Sequence, residues 1–297
     1  NLVLVNRREN GKNEAPLPSF VFDHCIAKAN IEGRDYFVEL TSDKLPFAAM
    51  GSELINSITL VTEGDTTKKM EPFYLNPETR VRNSASRHLT LDFAGDEIKL
   101  SKKKKKTGAP AASMRESYRN ISEEEQHKIL SSIITSEHAN GELLSLEFDE
   151  TLNNAEDTIN YKYSFRIKKP FTRIGDLEIF KIPVTDNFKS LDVFSMEKRK
   201  YPVELWQAIH LYDEWTEKIV INIPEGKTLA EMPENADFEN KYGNYTMTFT
   251  QEDNRLIVNR SLSLKHEDIE VEEYPAFKDF FLRVMESDAR QLAFTSK

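Results

Sequence analysis

Residues 20–40 read FVFDHCIAKANIEGRDYFVEL. Two extended runs, 20–31 and 34–40, flank Glu32-Gly33, the two-residue loop of a tight hairpin. Side chains alternate faces along a strand. With the turn centred on Glu32-Gly33, residue 26 falls opposite residue 39, and residue 24 shares that face. His24 and Glu39 therefore project from one face as diagonal neighbours. Cys25 points the other way.

Strand patterns continue on both sides. Residues 2–8 (LVLVNRR) read as a buried strand, followed by a polar loop through Asn10-Gly11. Residues 55–62 (INSITLVT) form another. From 63 to 86 the chain turns polar around Pro72, Pro77 and a Ser/Asn cluster, and a domain boundary is expected near 75–85. Residues 88–93 and 96–106 read as a hairpin about Gly95. A helical segment at 110–118 precedes Ser122 and Glu125, which form a capping box. Behind it Ile129, Leu130, Ile133 and Ile134 make one apolar stripe. Strands resume at 142–149, 158–167, 176–182, 201–206, 216–223, 244–250 and 256–264, the last two joined across Glu252-Asp253-Asn254. Pro275 opens a terminal helix whose Phe277, Phe280, Phe281 and Val284 share a face, and 291–294 add a last strand.

The expected fold is mainly β with α+β character. An antiparallel lobe leads into a β-sandwich region with short helical insertions and a C-terminal helix. The expected units are 1–78, 79–200 and 201–297. The few strands of the lobe cannot enclose a two-sided core alone, so the lobe should pack on the following region or on a piece upstream.

The 297 residues are 39% hydrophobic and 30% charged, a composition that buries real cores and excludes wholesale disorder. Fifty acidic against forty basic residues give a net charge of -10. A field of that sign repels nucleic acid and anionic membranes, so neither is an expected partner. No apolar run approaches the ~20 residues that span a bilayer, and no secretory signal opens the chain. A single cysteine excludes an intrachain disulfide and a cysteine-cluster metal site. His88, His127, His138, His210 and His266 show no metal-ligand spacing, and no motif asks for a cofactor.

A histidine beside a carboxylate on adjacent strands has two readings. It is an ordinary cross-strand pair, or it is the base and orienter of a nucleophilic triad, where the acid fixes the imidazole tautomer and stabilises the imidazolium. Cys25 cannot face His24 and reads as a small buried hydrophobe. No G-x-S-x-G elbow is present. The five lysines at 102–106 lack P-loop order. They read as a solvated strand end that discourages edge pairing, with phosphate or anionic-surface binding as the alternative. The loop 149–157 (DETLNNAED) lacks the glycine and ligand order of a calcium loop and reads as a solvated turn. Trp206 and Trp215, with Tyr201 and Tyr212, are core aromatics or a sugar platform. Arg260 shares a face with Leu256, Val258, Leu262 and Leu264, so it requires a carboxylate partner.

Residues 1–62 resemble the second half of a bacterial transglutaminase-like core. The resemblance rests on NLVLVNRR, the loop ending APLPS, and FVFDHCIAKANIEGRDYFVELTSDKLPFAAM, set against a pattern close to f-n-H-v-i-v-x-v…G-x-x-y-w-l-D-p-T. It implies that His24 falls on the catalytic histidine of that family, Glu39 on its catalytic aspartate and Thr41 on the following threonine. The departures are Glu for Asp and Leu40 where proline is common. The family's cysteine nucleophile stands on a helix upstream of the NLVLV strand, and no residue here matches it. Further segments, among them TGAPAASMRESYRNIS, TRIGDLEIFKIPVTD, IVINIPEGKTLAEMPEN and EEYPAFKDFFLRVMESDARQLAF, resemble the C-terminal part of the same proteins in Bacteroidetes-type bacteria. The resemblance implies an exported protein, periplasmic or extracellular.

Three functional expectations follow. The first is a non-catalytic C-terminal portion that binds or positions a protein or cell-envelope partner, without acyl-transfer activity of its own because the nucleophile is missing. The second is the C-terminal half of a cysteine-dependent transglutaminase or peptidase, with His24 as general base for an upstream cysteine and Glu39 orienting it. The third is a carbohydrate-binding β-sandwich using Trp206 or Trp215.

Overall fold

The computed structural model describes residues 1–11, 21–62, 70–138, 140–154, 156–185, 188, 192–205, 212–265 and 268–296. Among these residues the strands form four sheets. The first holds β1 (Leu2–Asn6), β2 (His24–Ile31), β3 (Arg34–Val38), β4 (Ile58–Val61) and β5 (Phe73–Tyr74), in the order β3-β2-β1-β4-β5. Glu32 and Gly33 both take positive φ, 52° and 79°, the pattern of a type I′ turn that matches strand twist. One face carries Val3, Val5, Ile26 and Phe37, closed over by Met50, Leu54, Ile55 and Leu75. The lobe thus has a small core of its own.

The second sheet has eight strands: β6 (Ser84–Ala94), β7 (Glu97–Thr107), β8 (Gly141–Phe148), β9 (Thr158–Lys168), β13 (Glu214–Asn222), β15 (Ala236–Asn240), β16 (Gly243–Glu252) and β17 (Arg255–Leu264). Their order is β15-β16-β17-β13-β6-β7-β9-β8. β13 and β6 run parallel, and the other neighbours are antiparallel. Strands on both sides of residue 200/201 share this sheet, so that boundary runs through one layer.

Alternation gives the large sheet an apolar face, with Leu89, Leu100, Phe165, Ile219 and Val258 buried on it, and a polar face of Ser, Thr, Asn and Lys side chains. The chain supplies three helices to the fold described, α1 (Ala109–Tyr118), α2 (Glu123–Glu137) and α3 (Tyr274–Asp288). A four-stranded sheet of β10 (Phe171–Ile174), β11 (Leu177–Lys181), β14 (Lys227–Leu229) and β19 (Gln291–Ser296), ordered β10-β11-β19-β14, completes the cover with α3. Phe93 of the large sheet meets Phe171, Phe180 and Phe294 of the small one at 5.2, 5.4 and 6.2 Å between ring centroids. A short pair, β12 (Val203–Glu204) and β18 (Asp268–Ile269), forms the fourth sheet, and its Val203 and Ile269 join the large core. The architecture is mainly β with α+β character and a C-terminal helix, and the layer facing the large sheet is a composite of sheet and helix.

Two sequence expectations about local burial change. The Ser122 capping box forms: Ser122 Oγ accepts from the Glu125 N–H at 3.3 Å and Glu125 Oε2 accepts from the Ser122 N–H at 3.0 Å. Of the stripe behind it, however, only Leu130 and Ile134 are buried, while Ile129 and Ile133 are exposed. α2 rests on the narrow edge formed by β8, which covers a single i, i+4 row. The lysine run is no solvated edge. β7 is an interior strand paired with β6 and β9 along its whole length, and alternation turns Lys102 into the core at 4% exposure.

The lobe and the larger region meet around Asn83, which is fully buried. Its side-chain amide donates to the Met50 carbonyl at 3.1 Å, and its Oδ1 accepts from the Ala109 N–H at 2.9 Å. Arg80 adds a forked pair to Asp213 at 2.8 and 2.6 Å.

Candidate functional site

β2 begins at His24, and Glu39 follows the last residue of β3. The hairpin register sets Ala27 opposite Val38, and its continuation sets Ile26 opposite Glu39, as the alternation predicts. His24 Nε2 and Glu39 Oε2 stand 2.5 Å apart. The side chains are 16% and 9% exposed, sheltered on the core face of the lobe. Glu39 Oε1 accepts from the Thr41 N–H at 2.8 Å, so each carboxylate oxygen has its own partner. Burial pushes the Glu39 carboxyl up. The bonds from His24 and Thr41 outweigh it and hold the group below its ordinary value. With Nε2 engaged, Nδ1 is the ring nitrogen left for a further partner.

Cys25 lies on the opposite face, as alternation requires, and it is exposed rather than buried. The lobe's core forms only on the side of Val5 and Ile26, so the Cys25 side faces solvent. Its Sγ contacts the carbonyl of Ile26 at 3.8 Å, and no thiol of this chain reaches His24.

Glu53 is a neighbour that the sequence reading missed. Burial first, then the charges of Glu9 and Glu39, hold its carboxyl above the ordinary range against the pull of Arg7. Its head folds back over Gly51. The available signal was an acidic residue inside the otherwise apolar or small stretch around Leu54 and Ile55.

The other expected sites resolve differently. Arg260 has its carboxylate, Asp288, at 2.6 and 2.7 Å. Trp215 is 2% exposed and packs edge-on against Phe188 at 5.8 Å, so it offers no sugar platform. Trp206, His210, His266 and the loop ending APLPS lie outside the described residues. The loop 149–157 is more than a solvated turn: Thr151 and Leu152 are buried, and the Thr151 carbonyl accepts from buried Arg115 at 3.1 Å. Among the described residues no group of three or more His, Cys, Asp and Glu is placed to hold a metal ion, and no helix is long and apolar enough to cross a membrane.

Residues 177–294 match a domain family described as a domain of unknown function with a solved structure, DUF3858. The match runs from β11 into β19 and excludes His24 and Glu39. No curated protein matches the chain. A solved structure from Parabacteroides distasonis, described as a candidate protease, is similar at 12% identity and a TM-score of 0.47, over 99% of this chain and 39% of that one. The present chain therefore spans well under half the length of that protein.

Proposed function

We propose that the hairpin carries the base and orienting acid of a transglutaminase-like, cysteine-type acyl-transfer centre, acting on a thiol other than Cys25. The observation that supports this reading is the His24 Nε2–Glu39 Oε2 bond, with the second carboxylate oxygen held by Thr41. A carboxylate at Nε2 places the neutral ring's proton there and leaves Nδ1 as acceptor. A thiol reaching Nδ1 gives its proton to the ring, and the thiolate attacks an amide carbonyl. The imidazolium then returns the proton to the departing amine, leaving an acyl-thioester for water or a second amine. Glu39 stabilises the imidazolium formed between these steps. The extra methylene of Glu relative to Asp is accommodated, since the bond is made.

Residues 1–297 alone lack a thiol in reach of His24, so on this reading they have no acyl-transfer or peptidase activity. By themselves they serve as a positioning part toward a protein or cell-envelope partner, in the periplasm or outside the cell.

Two measurements test this. Nitrogen NMR of histidine-labelled chain should show neutral His24 protonated at Nε2 and bare at Nδ1. The reverse tautomer overturns the reading. In the full encoded polypeptide, iodoacetamide labelling of the partner thiol at neutral pH should fall by roughly a hundredfold in His24→Ala. Unchanged labelling makes His24 structural.

A further inference from the structure

Alternation splits the lysine run. Lys103 and Lys105 stand on the open polar face of the large sheet, whereas Lys102, Lys104 and Lys106 stand on its inner face. We propose that the cavity next to Lys102, between β7, β9, the end of α2 and β11, binds a small organic anion with an apolar body, its acid group seated on Lys102.

The cavity measures about 370 Å³, within the range of small-molecule sites. Lys102, Lys168, Lys169, Lys181 and His138 line it, against one carboxylate, Glu137. Lys168 is partly answered by Glu97 at 4.0 Å. The rest of the wall mixes apolar side chains, Leu100, Phe180 and Ile182 among them, with the polar Asn140 and Thr185. A chamber with one apolar wall and an excess of ammonium groups suits a carboxylate or phosphate ester carrying a hydrocarbon body, and it disfavours a neutral or cationic one.

Lys102 is the residue built for this. A buried ammonium ordinarily meets a carboxylate directly. Here Nζ donates to a neutral hydroxyl, Thr185 Oγ, at 2.8 Å, and Thr185 in turn donates to Glu217 at 2.8 Å. The relay fixes the ammonium in place and leaves two of its three protons for another acceptor. The ring of Tyr163 lies 5.9 Å from Lys102 Nζ, a further favourable contact for the ammonium.

The test is calorimetric titration of the folded chain with octanoate, phenyl phosphate and neutral octanol. Either anion should bind while octanol does not, and the tighter of the two identifies the acid group. Lys102→Met should weaken binding about tenfold or more, while Lys103→Met, one residue along on the opposite face, should leave it unchanged. Absence of binding by both anions overturns the proposal. So does octanol binding as tightly as octanoate, or an equal loss in Lys103→Met. Should Lys102→Met fail to fold, acylation footprinting of the native chain decides. Octanoate should protect Lys169 and Lys181 several-fold relative to Lys103 and Lys105, and uniform labelling refutes the site.

Discussion

Arg260 and Asp288 meet through two bonds of 2.6 and 2.7 Å, and each side chain is 1% exposed. The pair ties the end of α3 to β17, and the Tyr245 hydroxyl donates a third bond to Asp288 at 2.7 Å. An acid in the last turn of a helix opposes the helix dipole, so this placement reflects the demand of the buried guanidinium. Asp288→Ala leaves that charge unpaired and should destabilise the chain by about 3–5 kcal/mol in urea unfolding. Arg260→Met combined with Asp288→Leu should lose far less, because both charges leave together. A loss below about 1 kcal/mol for Asp288→Ala would show that the pair anchors nothing.

The bond between His24 and Glu39 should be visible as acid sensitivity. The Glu39 carboxyl lies below its ordinary value of 4.5 in the folded chain. Between those two values the unfolded chain binds the extra proton. The stability Glu39 contributes is therefore full above the unfolded value and is lost as pH falls through the folded one. Glu39→Gln removes that contribution. The gap in urea midpoint between native chain and variant should be largest near neutral pH and narrow progressively as pH falls below 4.5. A gap that stays constant across this range rules out the linkage.

The register that brings His24 to Glu39 was legible because it is local: one turn and a period of two determine it. Burial was less legible, because it depends on what arrives later. Cys25 was correctly turned away from His24, yet which side of the hairpin meets solvent is decided by Met50, Leu54 and Leu75. The lysines at 102–106 looked like a solvated end because their outer partner, β9, enters the sheet only after two helices and β8. Ile129 and Ile133 satisfied a helical period, but the width of a buried stripe is fixed by the surface beneath it. The carboxylate for Arg260 was demanded by its apolar neighbours, and nothing local pointed to Asp288 as the residue.

Gly108 is held by two separate constraints. Its φ is +75°, and a Cβ there would stand 2.4 Å from Asn83 Oδ1, the atom that caps the Ala109 N–H. Gly108→Ala should destabilise the chain by about 1–3 kcal/mol, through left-handed strain and through displacement of Asn83. Asn83→Ala alone should also destabilise, by loss of its bonds to Met50 and Ala109. Because the clash requires both side chains, the double variant should lose less than the sum. Thermal unfolding followed by circular dichroism reads all three, and strict additivity would separate Gly108 from Asn83.

Lys106, the last inner member of the lysine run, should make stability rise with pH where most proteins lose it. Burial, helped by the charge of Arg87, lowers its amine from 10.5 to about 8. Between those values the unfolded chain holds the proton and the folded chain does not, so the folded state gains as pH climbs from about 8 toward 10.5. Below about 8 the amine is charged in both states and the burial penalty is present in full. Lys106→Met should therefore be more stable than the native chain at neutral pH, and the advantage should shrink toward about pH 10. Lys105→Met, on the exposed outer face, should show no such trend. Urea midpoints measured across that range decide it. If Lys106→Met is the less stable chain at neutral pH, the ammonium is answered by a group that offsets its burial.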